Sequence, residues 1–274
     1  MFIPFINRFT CTQYQIQNII TINNKLNIRS ILAYINEDPS NFKKNYKINK
    51  RLSSHIYNSK IALKLSSLNI NNDYEQALCM SSDIVEEAIK KNNSIIIDAE
   101  YHSIQDDICS ITDRLMQKYN KNKINIFKTY QMYRPDYYEI FKEDLLKERD
   151  YKIGFKLVRG AYLNEEKGQE WIATTKRETD DNYNGCILMF NEYNKHDKLI
   201  CATHNEKSCY LASSLNNKDI EYAQLMGMSN NLTQKLSSKN TVYKYIPFGS
   251  IHETIPYLTR RISENISFTK YLFK

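Results

Sequence analysis

The feature that most constrains this chain is the recurrence of eight short apolar runs, each followed by a polar stretch with helical periodicity. The runs predict strands at 27–34, 60–66, 94–98, 123–131, 152–159, 198–204, 219–226 and 242–248. Strands that alternate with helices require right-handed parallel crossovers, and eight such units are enough to close a barrel. The sequence therefore predicts an α/β fold, a (β/α)8 TIM-like barrel with parallel strands. An open, doubly wound sheet is the alternative.

Amphipathic segments between the runs predict the helices, most clearly at 73–91 and 135–149. Residues 1–25 are expected to form a helix that leads into the barrel. The polar stretch 38–59 is the least regular part and predicts an elaborated first barrel helix. Because no repeat, low-complexity linker or Pro/Gly-rich hinge interrupts the sequence, we expect a single domain over 1–274.

The composition limits the classes of partner. The formal net charge is +7, but Lys and Arg alternate with Glu and Asp on the predicted helices, as in 141–149. This alternation is typical of a solvated helix face, so we expect no nucleic-acid partner. The six cysteines never form a Cys-x-x-Cys pair, and His204 has no second histidine at metal-ligand spacing. No metal site is therefore expected.

The glycines and the apolar runs limit cofactor and membrane binding. Only six glycines occur and none precedes Gly154, so the amino-terminal half has neither a phosphate loop nor a Gly-x-Gly-x-x-Gly turn. A dinucleotide would have to be bound in another way. No apolar run reaches the roughly 20 residues that span a bilayer. The first six residues lack the basic flank of a secretory signal, and no transit peptide is visible.

Polar and aromatic side chains collect where the predicted strands end, which is where the active sites of barrels lie. They include Lys64, Asp98, Glu100, Gln131, Arg159, Tyr162, Thr203, His204, Asn205, Gln224 and Tyr245. The fifth strand also ends on Gly160 and Ala161, which would let a flat ligand approach the backbone. Polar residues often cap strands, but their presence at nearly every strand end indicates a functional site.

Several of these side chains have two interpretations. Lys64 would point into the barrel, where it needs an anion, or would extend to solvent. Asp98 follows three isoleucines and would serve the site or cap the next helix. His204 could be a base, a ligand or a hydrogen-bonding wall of a pocket. Arg260 and Arg261 could together bind a carboxylate or phosphate; alternatively, one of the two lies at the surface. Together these residues indicate a carboxylate-bearing substrate beside a flat cofactor.

These motifs resemble the proline dehydrogenase family, flavin-dependent barrel enzymes, in its eukaryotic mitochondrial form. The resemblance is carried by residues 28–38, 62–65, 97–100, 129–133, 156–162, 202–205, 224–228 and 245–265. The blocks 156–162 (KLVRGAY) and 257–261 (YLTRR) are its most specific parts.

The resemblance implies residue roles. Asp98 and Lys156 would be the catalytic residues, with Lys156 standing where bacterial relatives carry an arginine near flavin N5. Proline would be bound by Lys64, Asp98, Tyr162, Leu225, Tyr245, Arg260 and Arg261. FAD would be contacted by Gln131, Lys156, Val158, Gly160, Ala161, Tyr183, Thr203, His204, Asn205, Gln224 and Glu264.

The resemblance also implies a reaction: oxidation of L-proline to Δ1-pyrroline-5-carboxylate, the first step of proline catabolism, with electrons passed from FAD to ubiquinone. It implies a mitochondrial location on the matrix side of the inner membrane, with peripheral membrane contact. Hydroxyproline as substrate is one alternative, which Tyr245 disfavours because a smaller residue would admit the extra hydroxyl. A non-catalytic barrel is another, because Ala33 replaces the aspartate usual in relatives and would loosen a gate between Glu37 and an arginine.

Overall fold

The computed structural model describes residues 7–36, 38–173 and 175–264, with 260–264 as backbone only, and it contains the eight predicted strands. They are β1 Arg29–Tyr34, β2 Lys60–Leu63, β3 Ser94–Ile97, β4 Ile126–Gln131, β5 Gly154–Val158, β6 Lys198–Ala202, β7 Ile220–Leu225 and β8 Val242–Phe248. All are parallel and pair in chain order, and β8 pairs with β1 to close the barrel. The prediction of a (β/α)8 barrel is confirmed, and the open-sheet alternative is wrong.

Helices lie between the strands as the periodicity predicts. They are α1 Ile16–Lys25, α2 Phe42–His55, α3 Tyr74–Lys90, α4 His102–Tyr119, α5 Asp136–Leu146, α6 Lys176–Tyr193, α7 Glu206–Ser214, α8 Asn230–Ser237 and α9 Ile251–Glu264. α1 is the helix expected within 1–25, and α2 occupies most of the irregular stretch 38–59. The segment predicted at 135–149 ends earlier, at Leu146. Within the described ranges, no helix is both long and apolar enough to cross a membrane.

Side-chain caps fix where helices α3 and α7 begin. The Asp73 carboxylate accepts from the backbone N–H of Gln76 at 2.9 Å at the start of α3. At the start of α7, the side-chain oxygen of Asn205 accepts from the backbone N–H groups of Lys207 and Ser208 at 3.0 and 3.3 Å. Each cap satisfies an N–H group that has no partner within its helix. At α7 this positions Asn205 directly after β6, at the carboxyl end of the barrel.

The barrel interior is apolar at mid-height. Outward-facing strand residues pack against the helices, whereas inward-facing ones fill the centre. The central set, here called the interior plug, consists of Ile31, Ala62, Ile96, Phe127, Ile200 and Ala223. It separates two polar ends of the barrel, each of which has its own cavity.

Candidate active site at the carboxyl ends of the strands

A cavity of about 520 Å³, here called the mouth cavity, opens at the carboxyl ends of the strands. Its volume falls in the range of small-molecule sites. It is lined by most of the predicted site residues, namely Lys64, Asp98, Gln131, Lys156, Val158, Gly160, Ala161, Tyr162, Thr203, His204, Asn205, Gln224, Leu225 and Tyr245. The strand-end pattern therefore brings these residues together as expected.

A charged group lies at the centre of the mouth cavity. Asp98 accepts a hydrogen bond from Lys156 Nζ through Oδ1 and one from the Tyr245 hydroxyl, at 2.8 Å, through Oδ2. The Asp98 and Lys156 side chains retain only 10% and 5% of their exposure, so the pair is largely shielded from water. Helix α4 begins at His102 without a side-chain cap, so the capping interpretation of Asp98 is wrong.

Lys64 lies one residue beyond β2 and faces the mouth cavity, rather than lying inside a longer strand as predicted. Its Nζ lies 3.5 Å from the Tyr162 hydroxyl and 6.0 Å from the centre of that ring. The Tyr162 ring in turn packs on Tyr101, with centroids 4.1 Å apart. Lys64 thus places a cation on the cavity wall, beside aromatic surface and one strand away from Asp98.

His204 is neutral and held on both ring nitrogens. The N–H of Leu225 donates to Nε2 at 3.4 Å, which leaves the ring proton on Nδ1, 3.1 Å from the Ser229 hydroxyl. Burial, together with the positive charge of Lys244, lowers the pKa of His204 to about 4. Of the three roles considered for His204, the geometry therefore favours a hydrogen-bonding wall of the pocket.

Lys244 is a buried cation behind this wall. Its Nζ donates to the carbonyl of Leu225, the last residue of β7, at 3.4 Å and to that of Met228, in the loop that follows, at 2.5 Å. Burial lowers the pKa of Lys244 to about 8. The lysine therefore links the end of β7 to the start of the loop whose Ser229 contacts His204.

The side-chain amides of Gln131 on β4 and Gln224 on β7 are also held in place. Gln131 donates to the Glu100 carbonyl at 2.8 Å. Gln224 accepts from Thr233 through its side-chain oxygen, and its amide nitrogen lies 3.5 Å from the Thr203 carbonyl. These contacts fix the orientation of both predicted cofactor-contacting amides before a ligand arrives.

Arg159 lines the mouth cavity and has a role that the sequence did not reveal. Its guanidinium donates to Asp180 at 2.6 Å, to the Thr203 hydroxyl at 2.6 Å and to the Ser208 hydroxyl at 3.0 Å. It also lies 4.4 Å from the centre of the Tyr183 ring. Arg159 therefore joins the end of β5 to α6 and α7. The only indication of this role in the sequence is that Arg159 lies within the family-specific block 156–162.

Tyr183 is not brought into the mouth cavity. It is fully buried between β5 and α6, where its hydroxyl lies 3.5 Å from the Leu157 carbonyl. The structure places it beneath Arg159, behind the strand. The predicted contact of Tyr183 with a cofactor in the mouth cavity would therefore be indirect, with the Arg159 guanidinium lying between the two.

Gly160 is shaped by a neighbouring side chain. Its φ is +124°, and a Cβ added there would lie 1.8 Å from the Tyr133 ring. Only glycine fits this position, because any side chain would both strain the backbone and collide with the ring. The Gly160 backbone itself lines the cavity, as the sequence predicts.

Glu166 anchors the loop 159–173, a role that was not identified from the sequence. Its carboxylate accepts from the backbone N–H of His102 at 2.7 Å and from the Tyr133 hydroxyl at 2.6 Å. Its own N–H donates to the Tyr162 carbonyl at 2.9 Å. One buried carboxylate thus ties the loop that presents Gly160 and Tyr162 to the ends of β3 and β4. No local pattern marks this glutamate, because its partners are distant in sequence.

Helix α9 crosses one side of the mouth. Tyr257 lines the cavity, and Glu253 accepts from the Tyr34 hydroxyl at 2.7 Å, which anchors the first turn of α9 to the end of β1. The predicted residues Arg260, Arg261 and Glu264 belong to α9, but their side chains lie outside the described part of the chain, as does Glu37. Ala33, which stands in for an aspartate, faces the cavity.

The lining of the mouth cavity fits a flavin nucleotide. Much of the lining is small, formed by Ala33, Ala62, Ala99, Ala161, Ala202 and Ala223, which leaves room for a flat ring system. Lys156 places a donor at its centre. Arg159 and Lys176 share the single carboxylate of Asp180, so the rim keeps one surplus positive charge that a phosphate could approach. The donor set and the walls are therefore compatible with FAD.

The fold is shared with solved structures of low sequence identity. Proline utilization A (PutA) from Bdellovibrio bacteriovorus matches 94% of this chain and 32% of its own length, with a TM-score of 0.82 and 17% identity. PutA from Corynebacterium freiburgense matches 98% of this chain and 32% of its own, with a TM-score of 0.80 and 17% identity. These likenesses confirm the barrel architecture.

Sequence comparison gives the family. The chain is 31% identical over 229 residues to proline dehydrogenase 1, mitochondrial, of Caenorhabditis elegans, which is 74% of this chain and 37% of that protein. It is 32% identical over 208 residues to the protein of the same name from Homo sapiens, which is 68% of this chain and 35% of that protein. The chain thus spans about a third of the length of these relatives. A family model described as proline dehydrogenase matches residues 19–272. This chain belongs to the proline dehydrogenase family.

Proposed function

We propose that this chain catalyses the FAD-dependent oxidation of L-proline to Δ1-pyrroline-5-carboxylate. The observation that carries the proposal is the contact of Asp98 with both Lys156 and Tyr245 at the centre of a cavity that Lys64 also lines. Such a group offers cations, a carboxylate and aromatic walls to a small zwitterion. The family to which the chain belongs supports proline as that zwitterion.

The proposed substrate would be oriented by its carboxylate. Lys64 provides one cation on the cavity wall, and Arg260 and Arg261 follow Tyr257 by about one helical turn on α9. Cations on two sides of a carboxylate fix its direction and hence the direction of the ring. Tyr162 and Tyr245 would then contact the apolar face of the pyrrolidine ring.

The other cavity residues would hold FAD, which when bound supplies a two-electron acceptor. Lys156 would donate from Nζ toward the flavin ring, and Asp98 keeps that ammonium in position through its Oδ1. Thr203, His204, Asn205 and Gln224 would line one side, and Gly160 and Ala161 the other. In the net reaction proline loses a hydride from C5 and a proton from nitrogen, and a C=N bond forms.

We further propose that the electrons pass to ubiquinone at the matrix side of the mitochondrial inner membrane, through a peripheral contact. The support is the resemblance to the eukaryotic branch and the word mitochondrial in the names of the relatives from Caenorhabditis elegans and Homo sapiens.

Hydroxyproline is the second candidate substrate, because hydroxyproline dehydrogenase of Xenopus laevis is 29% identical over 209 residues, or 68% of this chain and 45% of that protein. Tyr245 argues for proline. Its hydroxyl contacts Asp98, and a smaller residue at this position would leave room for the extra hydroxyl of hydroxyproline. The Tyr245→Ser variant should therefore gain activity on hydroxyproline relative to proline.

The test is the colour of the protein. Purified protein incubated with FAD should show a flavin spectrum, and proline added without oxygen should bleach it. Arg260→Ala should weaken proline binding by about 2 to 5 kcal/mol if the carboxylate is desolvated. Arg51→Ala, on the exposed face of α2, is the matched control and should bind proline normally. Protein that cannot be loaded with FAD would support the non-catalytic barrel, and bleaching by hydroxyproline alone would change the substrate.

A further inference from the structure

A second cavity lies at the amino-terminal ends of the strands, on the far side of the interior plug from the mouth cavity. Its volume is about 880 Å³, and it lies between the bottom of the barrel and helix α1. Its ionisable lining consists of five lysine or arginine residues, two carboxylates and one histidine: Arg29, Lys60, Lys123, Lys152, Lys198, Asp219, Glu221 and His196. We call it the basal cavity. With the histidine counted as neutral, the side chains that line the basal cavity carry a surplus of three positive charges.

The floor of the basal cavity contains charges inside the barrel itself. Lys60 Nζ lies 3.4 Å from Glu221 Oε2, and Lys198 Nζ lies 3.3 Å from Glu221 Oε1. One carboxylate is thus shared between two lysines, so the floor keeps a net positive charge. The interior of a barrel normally excludes such a surplus, because an uncompensated charge away from water is costly.

Lys60 shows how this charge is accommodated. Its Nζ lies 3.9 Å from the centre of the Phe127 ring and 5.1 Å from that of Tyr243, so two aromatic faces stabilise the cation. Burial still outweighs the attraction of Glu221 and lowers the pKa of Lys60 to about 8. An anion above the floor would favour the protonated lysine.

The rim of the basal cavity adds cations without carboxylate partners. Among the residues that the structure describes, Arg29, Lys123 and Lys152 have no carboxylate within 4.0 Å. Lys152 donates to the Asn122 carbonyl at 3.0 Å, and Lys123 donates to the side-chain carbonyl of Asn92. Neutral oxygens therefore occupy the positions that a bound anion would compete for.

Neutral donors complete the lining. Serine hydroxyls and asparagine amides come from the start of β1, at Ser30, and from the loops that lead into β2 and β3, at Asn58, Ser59 and Asn92. Asn58 and Asn92 both have left-handed backbones, with φ of 53° and 56°, and the Asn92 amide donates to Asn58 at 2.6 Å. Cations with hydroxyl and amide donors are the groups that recognise phosphate oxygens.

We propose that the basal cavity binds a small molecule that carries a diphosphate group. A surplus of about three positive charges matches the charge of a diphosphate or nucleoside diphosphate near neutral pH. The concave shape and volume fit a small ligand, whereas nucleic acid would require an extended basic face. The site is distinct from the mouth cavity, and it does not depend on the oxidation proposed there.

The test measures binding of pyrophosphate and of ADP by calorimetry, at low ionic strength, to the full chain that has been loaded with FAD and then separated from unbound FAD, which itself carries a diphosphate. The double variant Lys123→Gln/Lys152→Gln removes two rim cations that make contacts only to neutral oxygens in the described structure, so folding should be preserved. It should weaken binding about tenfold or more, which is the loss expected from about 1.4 kcal/mol of charge-assisted contact. Lys47→Gln/Lys142→Gln, which removes the same two charges from the exposed faces of α2 and α5, is the control and should bind both anions normally.

Hydrogen exchange identifies the location of the bound anion. Pyrophosphate or ADP should slow exchange at the strand entries near residues 58–60, 92–94 and 122–126. Preference for ADP over pyrophosphate would identify a nucleotide ligand, and equal affinity would identify the diphosphate itself as the recognised group. The proposal would be overturned by no saturable binding, by the same loss in Lys47→Gln/Lys142→Gln as in Lys123→Gln/Lys152→Gln, or by protection confined to the mouth cavity.

Discussion

Asp98 and Lys156 contact each other across an intervening strand: the lysine on β5 reaches past β4 to the carboxylate that follows β3. Thr129, the β4 residue in register with Lys156, is a small side chain that leaves room for this contact. The pair is therefore a consequence of register. Its two charges are largely shielded from water, so each depends on the other for compensation.

Lys156→Met should lower the free energy of unfolding by about 3 kcal/mol, because it leaves the Asp98 carboxylate shielded and without its cation. Adding Asp98→Asn should restore a large part of that loss, since the double variant carries no uncompensated charge. Chemical denaturation of the single and double variants measures the coupling. Strictly additive losses would show that the two charges are not coupled.

Gly160→Ala should lower the free energy of unfolding by about 3 kcal/mol or more, because it combines a left-handed backbone with a collision against the Tyr133 ring. Gly168→Ala is the matched control. Its φ is also positive, at +92°, but nothing lies within 4 Å of the added methyl group, so about 1 kcal/mol is expected from backbone strain alone. Equal losses in the two variants, measured by denaturation, would contradict the role of Tyr133.

Glu166→Gln should lower stability by about 1.5 to 3 kcal/mol, since it weakens two hydrogen bonds to a charged acceptor. Hydrogen exchange in 160–173 should rise in the same variant, because that loop loses its anchor. Glu165→Gln changes the neighbouring exposed glutamate and should leave both measurements unchanged. If both variants behave alike, Glu166 is not the anchor.

Acid should destabilise the protein through His204. Its pKa is about 4 in the folded state and 6.5 as the ordinary value, so the unfolded chain takes up the proton first as the pH falls. The stabilisation from the neutral ring is therefore complete above pH 6.5 and is lost as the pH falls from about 6.5 to 4. The total loss of unfolding free energy over this range is about 3 kcal/mol. Unfolding measured across this range should show a flatter pH dependence in His204→Gln. His55→Gln, on the exposed end of α2, should keep the steep dependence.

The barrel could be predicted from sequence because its strands are apolar runs of the right length in a regular alternation with helices. The ends of the strands could be predicted less accurately. Polar residues after an apolar run can continue its apolar–polar alternation without being part of the strand. The second run illustrates this: the strand stops at Leu63, and Ser66 begins a short helical turn in which its N–H donates to Glu100 at 2.9 Å. Backbone partners in space, which local pattern does not contain, decide where a strand ends.

The mouth cavity could be predicted because barrels place functional residues at strand ends, so neighbours in the cavity need not be neighbours in sequence. The roles of Glu166 and Tyr133 could not, because each depends on partners brought together only by the fold. Tyr183 is predicted to contact the cofactor but does not line the mouth cavity, for a different reason. Its helical position is predictable, but the side of β5 that it faces is decided by packing.

The interior plug determines where a proton can go. Its isoleucines, Ile31, Ile96 and Ile200, are fully buried and have no group that could accept or pass on hydrogen. If an amine is oxidised in the mouth cavity, as we propose, the proton that it releases must leave by the side from which the substrate arrived. The basal end would then be insulated from the acid–base chemistry above it, although both ends share the same eight strands.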